Sequence, residues 1–249
     1  TPIVLVALLA LSIIWGGTFF FGAIAVEALP PMVVVWLRVA LAALTLWIIA
    51  LGMRLPLPSL SKTAVFFLFM GFFNNIVPFG LIFWGQTEAE SGLASIFNAT
   101  TPMFTILVAS ILLTDERLSP LKALGVLAGL LGVALMVGFE ALFAKGGSVW
   151  AQLAFVGAAV SYSFAIVSSR RFFAGLVSSP IIMAMGQSTA SALLLLPYIL
   201  MFENPMSLQS PGLGVWAAII LLAVVSTAFA YILYFFIIAK AGATNASLV

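Results

Sequence analysis

Apolar residues in this chain come in runs about as long as a membrane is thick, separated by short clusters of charge, proline and glycine. The runs cover residues 3–22, 31–51, 64–84, 92–113, 120–138, 149–169, 179–200 and 213–238, and a ninth begins near Ala243 and is cut off at Val249. A hydrocarbon core about 30 Å thick is crossed by about 20 apolar residues in an α-helix. Each run therefore predicts a membrane-spanning helix, and the connections are too short for a soluble domain. The first run is not a signal peptide, because similar spans follow it and no small-residue cleavage site stands out. The expected fold class is an all-α polytopic membrane protein.

Composition agrees and narrows the chemistry. The chain is 64% hydrophobic and 6% charged, with a mean hydropathy of +1.30, outside the range of soluble domains. It has no cysteine and no histidine. Disulfides, thiolate metal sites and cysteine nucleophiles are excluded, and a catalytic centre lacks its usual acid–base groups. We expect no enzyme, no metal and no cofactor. The net charge of +2 is too small to argue for nucleic acid. The expected partners are the lipid bilayer and a small-molecule substrate, with the protein a monomer or homodimer.

The distribution of charge sets an orientation. Arg54, Lys62, Arg117, Lys122, Arg170, Arg171 and Lys240 fall in one set of alternate connections; the other set holds Lys145, and Arg38 lies inside a span. The positive-inside rule puts the richer set, and the N-terminus, in the cytoplasm. Glu27, Glu88, Glu90, Glu140 and Glu203 fall on the other side.

The chain also resembles itself. "FWGQTEAESGLASIF" (83–97) aligns with "FFIIAKAGATNASLV" (235–249) at an offset of 152, anchored by Ala94-Ser95 and Ala246-Ser247. "WGGTFFFGAIAVEALPP" (15–31) aligns with "YSFAIVSSRRFFAGLVS" (162–178) at an offset of 147. A repeat unit of five spans is odd in number, so its second copy enters the membrane from the opposite face, as in many secondary transporters. The expected domains are a first repeat over 1–138 and a second over 139–249, incomplete at its C-terminus. By this reading about forty residues, the rest of span nine and a span ten, are expected after Val249. The initial Thr also suggests a trimmed start.

The junction "ILLTDERLSPLKALGVLAGLLGVALMV" (111–137) resembles the end of the first repeat in the EamA family of the drug/metabolite transporter superfamily. "IIWGGTFFFG" (13–22) and "WLRVALAAL" (36–44) resemble that family's first two spans. The resemblance implies ten helices in two inverted five-helix repeats, a place in a cell membrane such as the bacterial inner membrane, and export of amino acids or other small metabolites.

Polar residues inside the spans are the candidate site. Asn74 and Asn75 stand near the middle of the third span, where an unpartnered amide costs roughly 2–7 kcal/mol in hydrocarbon. Pro78 lies four residues after Asn74 and frees its carbonyl from the usual helical bond. A water-lined cavity and interhelical hydrogen bonding both account for such amides. Adjacent residues point about 100° apart, so one can face inward and the other a neighbouring helix. In the fourth span Ser91, Ser95, Asn98, Pro102 and Thr105 share a face, with Thr101 beside it. Cavity lining and small-residue packing both remain open there. Trp15, Tyr162, Gln187, Thr227 and Tyr231 complete the candidate substrate-binding set. Tyr234 and Trp84 read better as interfacial belt residues.

Arg38 lies about 10 Å inside the outer end of its span. It either snorkels outward toward Glu88 or Glu90 as an orienting residue or attracts a substrate carboxylate. Gly16, Gly17, Pro78, Gly80 and Pro102 are candidate bending points. Ser119 and Pro120 suit the cap and first residue of the fifth span. Glu116 suits pairing with Arg117 or Lys122, and Gly125, Gly129 and Gly132 suit close helix contact. A midplane site with amides, hydroxyls and few charges suits small neutral or zwitterionic metabolites, amino acids foremost. An anionic substrate, such as a sugar phosphate or nucleotide sugar, calls for more Arg and Lys; a passive channel is the other alternative. With no carboxylate well inside a visible span, facilitated transport is expected rather than a buried proton relay.

Overall fold

The computed structural model describes residues 2–138, 149–177, 179–204, 208 and 210–241. Among these, eight helices are long and apolar enough to cross a membrane: α1 (Pro2–Val26), α2 (Pro31–Gly52), α3 (Leu60–Gly85), α4 (Ser91–Leu112), α5 (Pro120–Val137), α6 (Val149–Phe172), α7 (Pro180–Glu203) and α8 (Leu213–Tyr234). Each coincides with one apolar run in the sequence. The protein is an all-α polytopic membrane protein, as its hydropathy predicts. Glu140, Lys145, the ninth span from Ala243 and the Ala246-Ser247 repeat anchor lie outside the described residues.

Helix starts follow local chemistry. Pro31, Pro120 and Pro180 each occupy the first helical turn, where their missing N–H leaves no bond unmade. Ser119 accepts the Lys122 N–H at 3.3 Å, and Ser179 accepts that of Ile182 at 3.5 Å. Gly138, at φ 81°, ends α5 in a conformation that suits glycine.

Three spans contain π-helical segments. In α3 the turn Phe72–Ile76 is π-helical, and the Val77 N–H bonds the Phe72 carbonyl five residues back. Pro78 cannot donate to Asn74, so a widened turn absorbs the missing bond. In α8 a longer π segment runs Leu221–Phe229, with regular helix resuming over Ala230–Ala241. The end of α7, Ile199–Glu203, is π-helical just after Pro197. Independently, α4 breaks into Ser91–Asn98 and Thr101–Leu112, with Pro102 in the first turn of the second piece.

Helices from the two ends of the chain interlock. α2 packs on α7 and on the π segment of α8; α3 packs on α7 and α6; α1 packs on α8; α4 packs on α6. Small residues permit close approach, as membrane interfaces require. A Cβ on Gly71 would lie 3.0 Å from the Gln187 carbonyl oxygen and the Ser191 backbone nitrogen. Gly186, in turn, is covered by the ring of Phe67. These contacts bring the middle of α3 against the middle of α7. Trp36 donates to the Ala192 carbonyl and Trp47 to the Thr189 hydroxyl, both at 3.1 Å. Lying about three turns apart on one face of α2, they hold its rotation against α7.

The glycine series of α5 divides. Gly129 seats Met103 of α4, whereas Gly125 and Gly132 have open space beside them. Leu121, Leu124, Leu127, Leu131 and Leu135 on this helix are exposed, as lipid-facing residues are.

Candidate functional site

The π segment of α3 directs its two amides differently. Asn75 is 0% exposed and bonded on both sides: its amide nitrogen donates to Ser191 Oγ at 2.9 Å, and its oxygen accepts from the Tyr231 hydroxyl at 2.9 Å. Ser191 donates to the Gln187 carbonyl at 2.7 Å and the Gly71 carbonyl at 3.0 Å. Asn74 remains partly exposed; its nitrogen lies 3.3 Å from both Gln187 Oε1 and the Tyr231 hydroxyl. Asn75 is thus sealed between α3, α7 and α8, while Asn74 lies at the edge of the same cluster. Gln187 is 1% exposed, and its amide nitrogen makes no hydrogen bond among the described residues.

Arg38 departs from the snorkelling expectation. It is 4% exposed and turned inward: Nε donates to Thr227 Oγ1 at 2.8 Å, and the guanidinium carbon lies 3.8 Å from the Phe79 ring centroid. Glu88 and Glu90 make no ion pair with it; the ion pairs among the described residues are those of Lys122 and Arg170. The two tryptophan bonds on α2 explain the difference. They fix the helix's rotation, and a snorkelling arginine needs a lipid-facing position. Tyr162 and Tyr231 lie within electrostatic reach of the guanidinium.

Thr227 belongs to the π segment of α8, and its own proton goes to the Leu222 carbonyl, five residues back, at 2.8 Å. That commitment leaves an oxygen lone pair for Arg38. On α6, three consecutive residues divide their roles. Ser161 donates to the Phe73 carbonyl of α3 at 2.7 Å, and Ser163 to the Thr101 carbonyl of α4 at 2.9 Å. Between them, the Tyr162 ring meets Phe79 edge-on at 6.4 Å.

The remaining candidates scatter. Thr105 bonds Ser163 at 3.1 Å, and Thr101 bonds the Asn98 carbonyl at 2.7 Å across the break in α4. Asn98 keeps a buried side-chain oxygen without a hydrogen bond among the described residues. Ser95 bonds the Gly92 carbonyl of its own helix. Trp15 packs on Tyr234 with ring centroids 5.3 Å apart. Pro78 and Pro102 stand at helix irregularities and Gly80 beside Met32, whereas α1 runs unbroken through Gly16 and Gly17.

The turn between α4 and α5 holds a cluster that local reasoning captured in part. Glu116 pairs with Lys122 at 3.3 Å, as expected, but also with Arg170 at 2.6 Å rather than with Arg117. Asp115 pairs with Arg170 at 2.7 Å. The Arg170 guanidinium first, and then Lys122, hold the Glu116 carboxyl below the ordinary carboxylate range. Nothing in the sequence near Glu116 signals a partner 54 residues away.

Comparison with known proteins places this geometry. An uncharacterized transporter, YoaV, from Bacillus subtilis (strain 168) is 24% identical over 98% of this chain and 82% of its own length. An uncharacterized transporter from Archaeoglobus fulgidus is 28% identical over 96% of this chain and 82% of its own. An uncharacterized inner membrane transporter, YedA, from Escherichia coli (strain K12) is 28% identical over 66% of this chain and 52% of its own. A solved crystal structure shares the fold with a TM-score of 0.68 at 22% identity, covering 100% of this chain and 83% of the other. The model of the EamA-like transporter family matches residues 2–138 and 149–249. The chain belongs to the EamA-like transporter family and is a multi-pass membrane transporter.

Proposed function

We propose that the protein carries small zwitterionic metabolites, amino acids foremost, by alternating access between two inverted halves, 1–138 and 139–249. The observation that carries this reading is the polar cluster at mid-span, built from both halves: Asn74 and Arg38 from one, Gln187, Thr227 and Tyr231 from the other. A site assembled from two halves changes access when one half rocks against the other.

Further support lies in a correspondence of positions. Arg38 and Gln187 are 149 residues apart; Asn75 and Thr227 are 152 apart. The bond from Arg38 to Thr227 and the bond to Gln187 from Asn74, the neighbour of Asn75, thus join corresponding turns of the two halves in swapped roles. The π segments of α3 and α8 match in the same way, as do the helix-starting Pro31 and Pro180. The helix pairs obey the same exchange: α2 on α8 mirrors α7 on α3, and α1 on α8 mirrors α6 on α3.

In this reading Asn74, Asn98, Gln187, Tyr162 and Tyr231 face the substrate, with Trp15 and Thr101 at the margin. Asn75 and Thr227 hold the cluster's shape. Bending falls at the π turn before Pro78-Phe79-Gly80 and at the break before Pro102, with Gly16-Gly17 giving compliance to α1. The N-terminus lies in the cytoplasm of a bacterial cell, and the physiological direction is export. The test is counterflow of radiolabelled amino acids into liposomes holding the full chain. Saturable, trans-stimulated flux is expected; flux linear in concentration marks a pore, and no amino-acid flux from folded protein removes the proposal.

A further inference from the structure

Arg38 is placed and held like a residue awaiting a counter-ion. A guanidinium carries five N–H donors and a full charge. Thr227 takes one donor, the Phe79 ring covers one face, and among the described residues no carboxylate pairs with it. Buried charges in proteins are ordinarily paired. The described acids, Glu27, Glu88, Glu90, Asp115, Glu116 and Glu203, all lie at or beyond the ends of spans. The surroundings add donors rather than negative charge. Gln187, 1% exposed, has an amide nitrogen with no hydrogen bond among the described residues, and the hydroxyl-bearing ring of Tyr162 lies close by, while the Tyr231 hydroxyl donates to Asn75.

We infer that Arg38 is the receptor for a single oxyanion, the carboxylate of the transported molecule, gripped by the guanidinium nitrogens that Thr227 does not occupy. This rests on the transporter reading above and deepens it: the substrate must carry a carboxylate, and a neutral metabolite does not satisfy the site. One guanidinium matches one negative charge, whereas a phosphate dianion calls for a cluster of bases. Thr227 acts as the positioning residue. Its proton is committed to Leu222, so it holds Nε and leaves the terminal nitrogens of the fork for the ligand. In the matching position of the other half, neutral Gln187 stands where Arg38 stands in the first. That asymmetry gives the site a charged end and an uncharged one.

The experiment compares ligands that differ in the carboxylate. The melting temperature of the purified full chain is measured with phenylacetate, L-phenylalanine and L-phenylalaninamide, and the latter two compete in counterflow. Both acids should raise the melting temperature of the unaltered protein and the amide should not. The acid should compete at least about tenfold better, the size expected of one charge-assisted hydrogen-bond pair. Arg38→Gln should lose the response to acids, and Arg38→Lys should keep part of it. Equal effects of acid and amide, no response to any acid, or an acid response that survives in Arg38→Gln each overturn the inference. If Arg38→Gln does not fold, the acid–amide contrast in the unaltered protein decides. Stabilisation by phenylacetate through Arg38 without phenylalanine exchange removes the amino-acid reading and leaves the oxyanion site. Exchange that does not discriminate acid from amide does the reverse.

Discussion

Arg38 and Thr227 stand 189 residues apart in sequence and 2.8 Å apart in space, joining α2 to the π segment of α8 inside the membrane. The threonine's hydroxyl proton reaches back five residues to Leu222, a span that only a widened helical turn places within bonding distance. The backbone irregularity of α8 and the charge of α2 therefore form one device. A regular helix would return that proton three or four residues back.

Replacing Thr227 with valine keeps the shape and removes the oxygen. Hydrogen bonds to charged groups contribute about 1.5–3 kcal/mol, so Thr227→Val should lower thermal stability in detergent by several degrees, and Thr227→Ser should retain most of it. Equal losses in both variants would show that the methyl group, not the hydroxyl, supports Arg38.

The two amides of α3 should separate by phenotype. Asn75 is sealed and bonded to Ser191 and Tyr231, so Asn75→Ala leaves buried polar partners unmet at a cost of about 1–3 kcal/mol. Protein yield and melting temperature should both fall. Asn74 is partly exposed, so Asn74→Ala should reduce counterflow more than yield. Asn98→Ala, at a buried oxygen with no bond among the described residues, should behave like Asn74→Ala. The converse pattern would make Asn74 the folding residue.

Gly71 tests the contact that assembles the cluster. A methyl group there meets the backbone of α7 at 3.0 Å, and backbone yields less readily than a side chain. Gly71→Ala should cost about 1–3 kcal/mol through overpacking and weaken counterflow with it. Gly16→Ala, with nothing within 4 Å of the added carbon, is the matched control and should leave melting unchanged.

The ion pairs of Arg170 join the α4–α5 turn to the end of α6. Because the native Glu116 carboxyl titrates below its unfolded value, its contribution is complete above the ordinary carboxylate range. It is lost as pH falls through the lowered native value. Melting should therefore not vary through this group near neutrality and should fall in acid, an acid step that Glu116→Gln abolishes. The pairs are largely solvent-exposed, so their contribution is under about 1 kcal/mol and weakens with salt. Their effect on access should be plainer. The chain has no native cysteine, so Ser168→Cys introduces one buried thiol near this end of α6. Arg170→Ala should speed its labelling from the side that carries these pairs; an unchanged rate would show that the pairs do not restrain opening.

Much of this architecture was legible along the chain because hydropathy reports depth. Eight apolar runs became eight spans, and the capping residues Ser119 and Pro120 started α5 where local chemistry put them. Pro78, four residues after Asn74, announced a disturbed helix at mid-span, and the π turn of α3 lies there. The π segment of α8 had no such herald, since Leu221–Phe229 contains no proline and little polarity. Arg170 as partner of Asp115 and Glu116 was likewise hidden, because surface charges pair with whatever the fold brings near.

Depth along the membrane normal is a one-dimensional property, so the order of residues settled it: how many helices cross, where they begin, and that Asn74, Asn75 and Gln187 lie far from either surface. Rotation about each helix axis is not encoded in depth. It arises from contacts such as Trp36 and Trp47 on α7 and the backbone approach at Gly71, which form between distant parts of the chain. Those contacts turned Arg38 away from Glu88 and Glu90 toward Thr227, enclosed Asn75, and left Asn74 at the edge of the cluster.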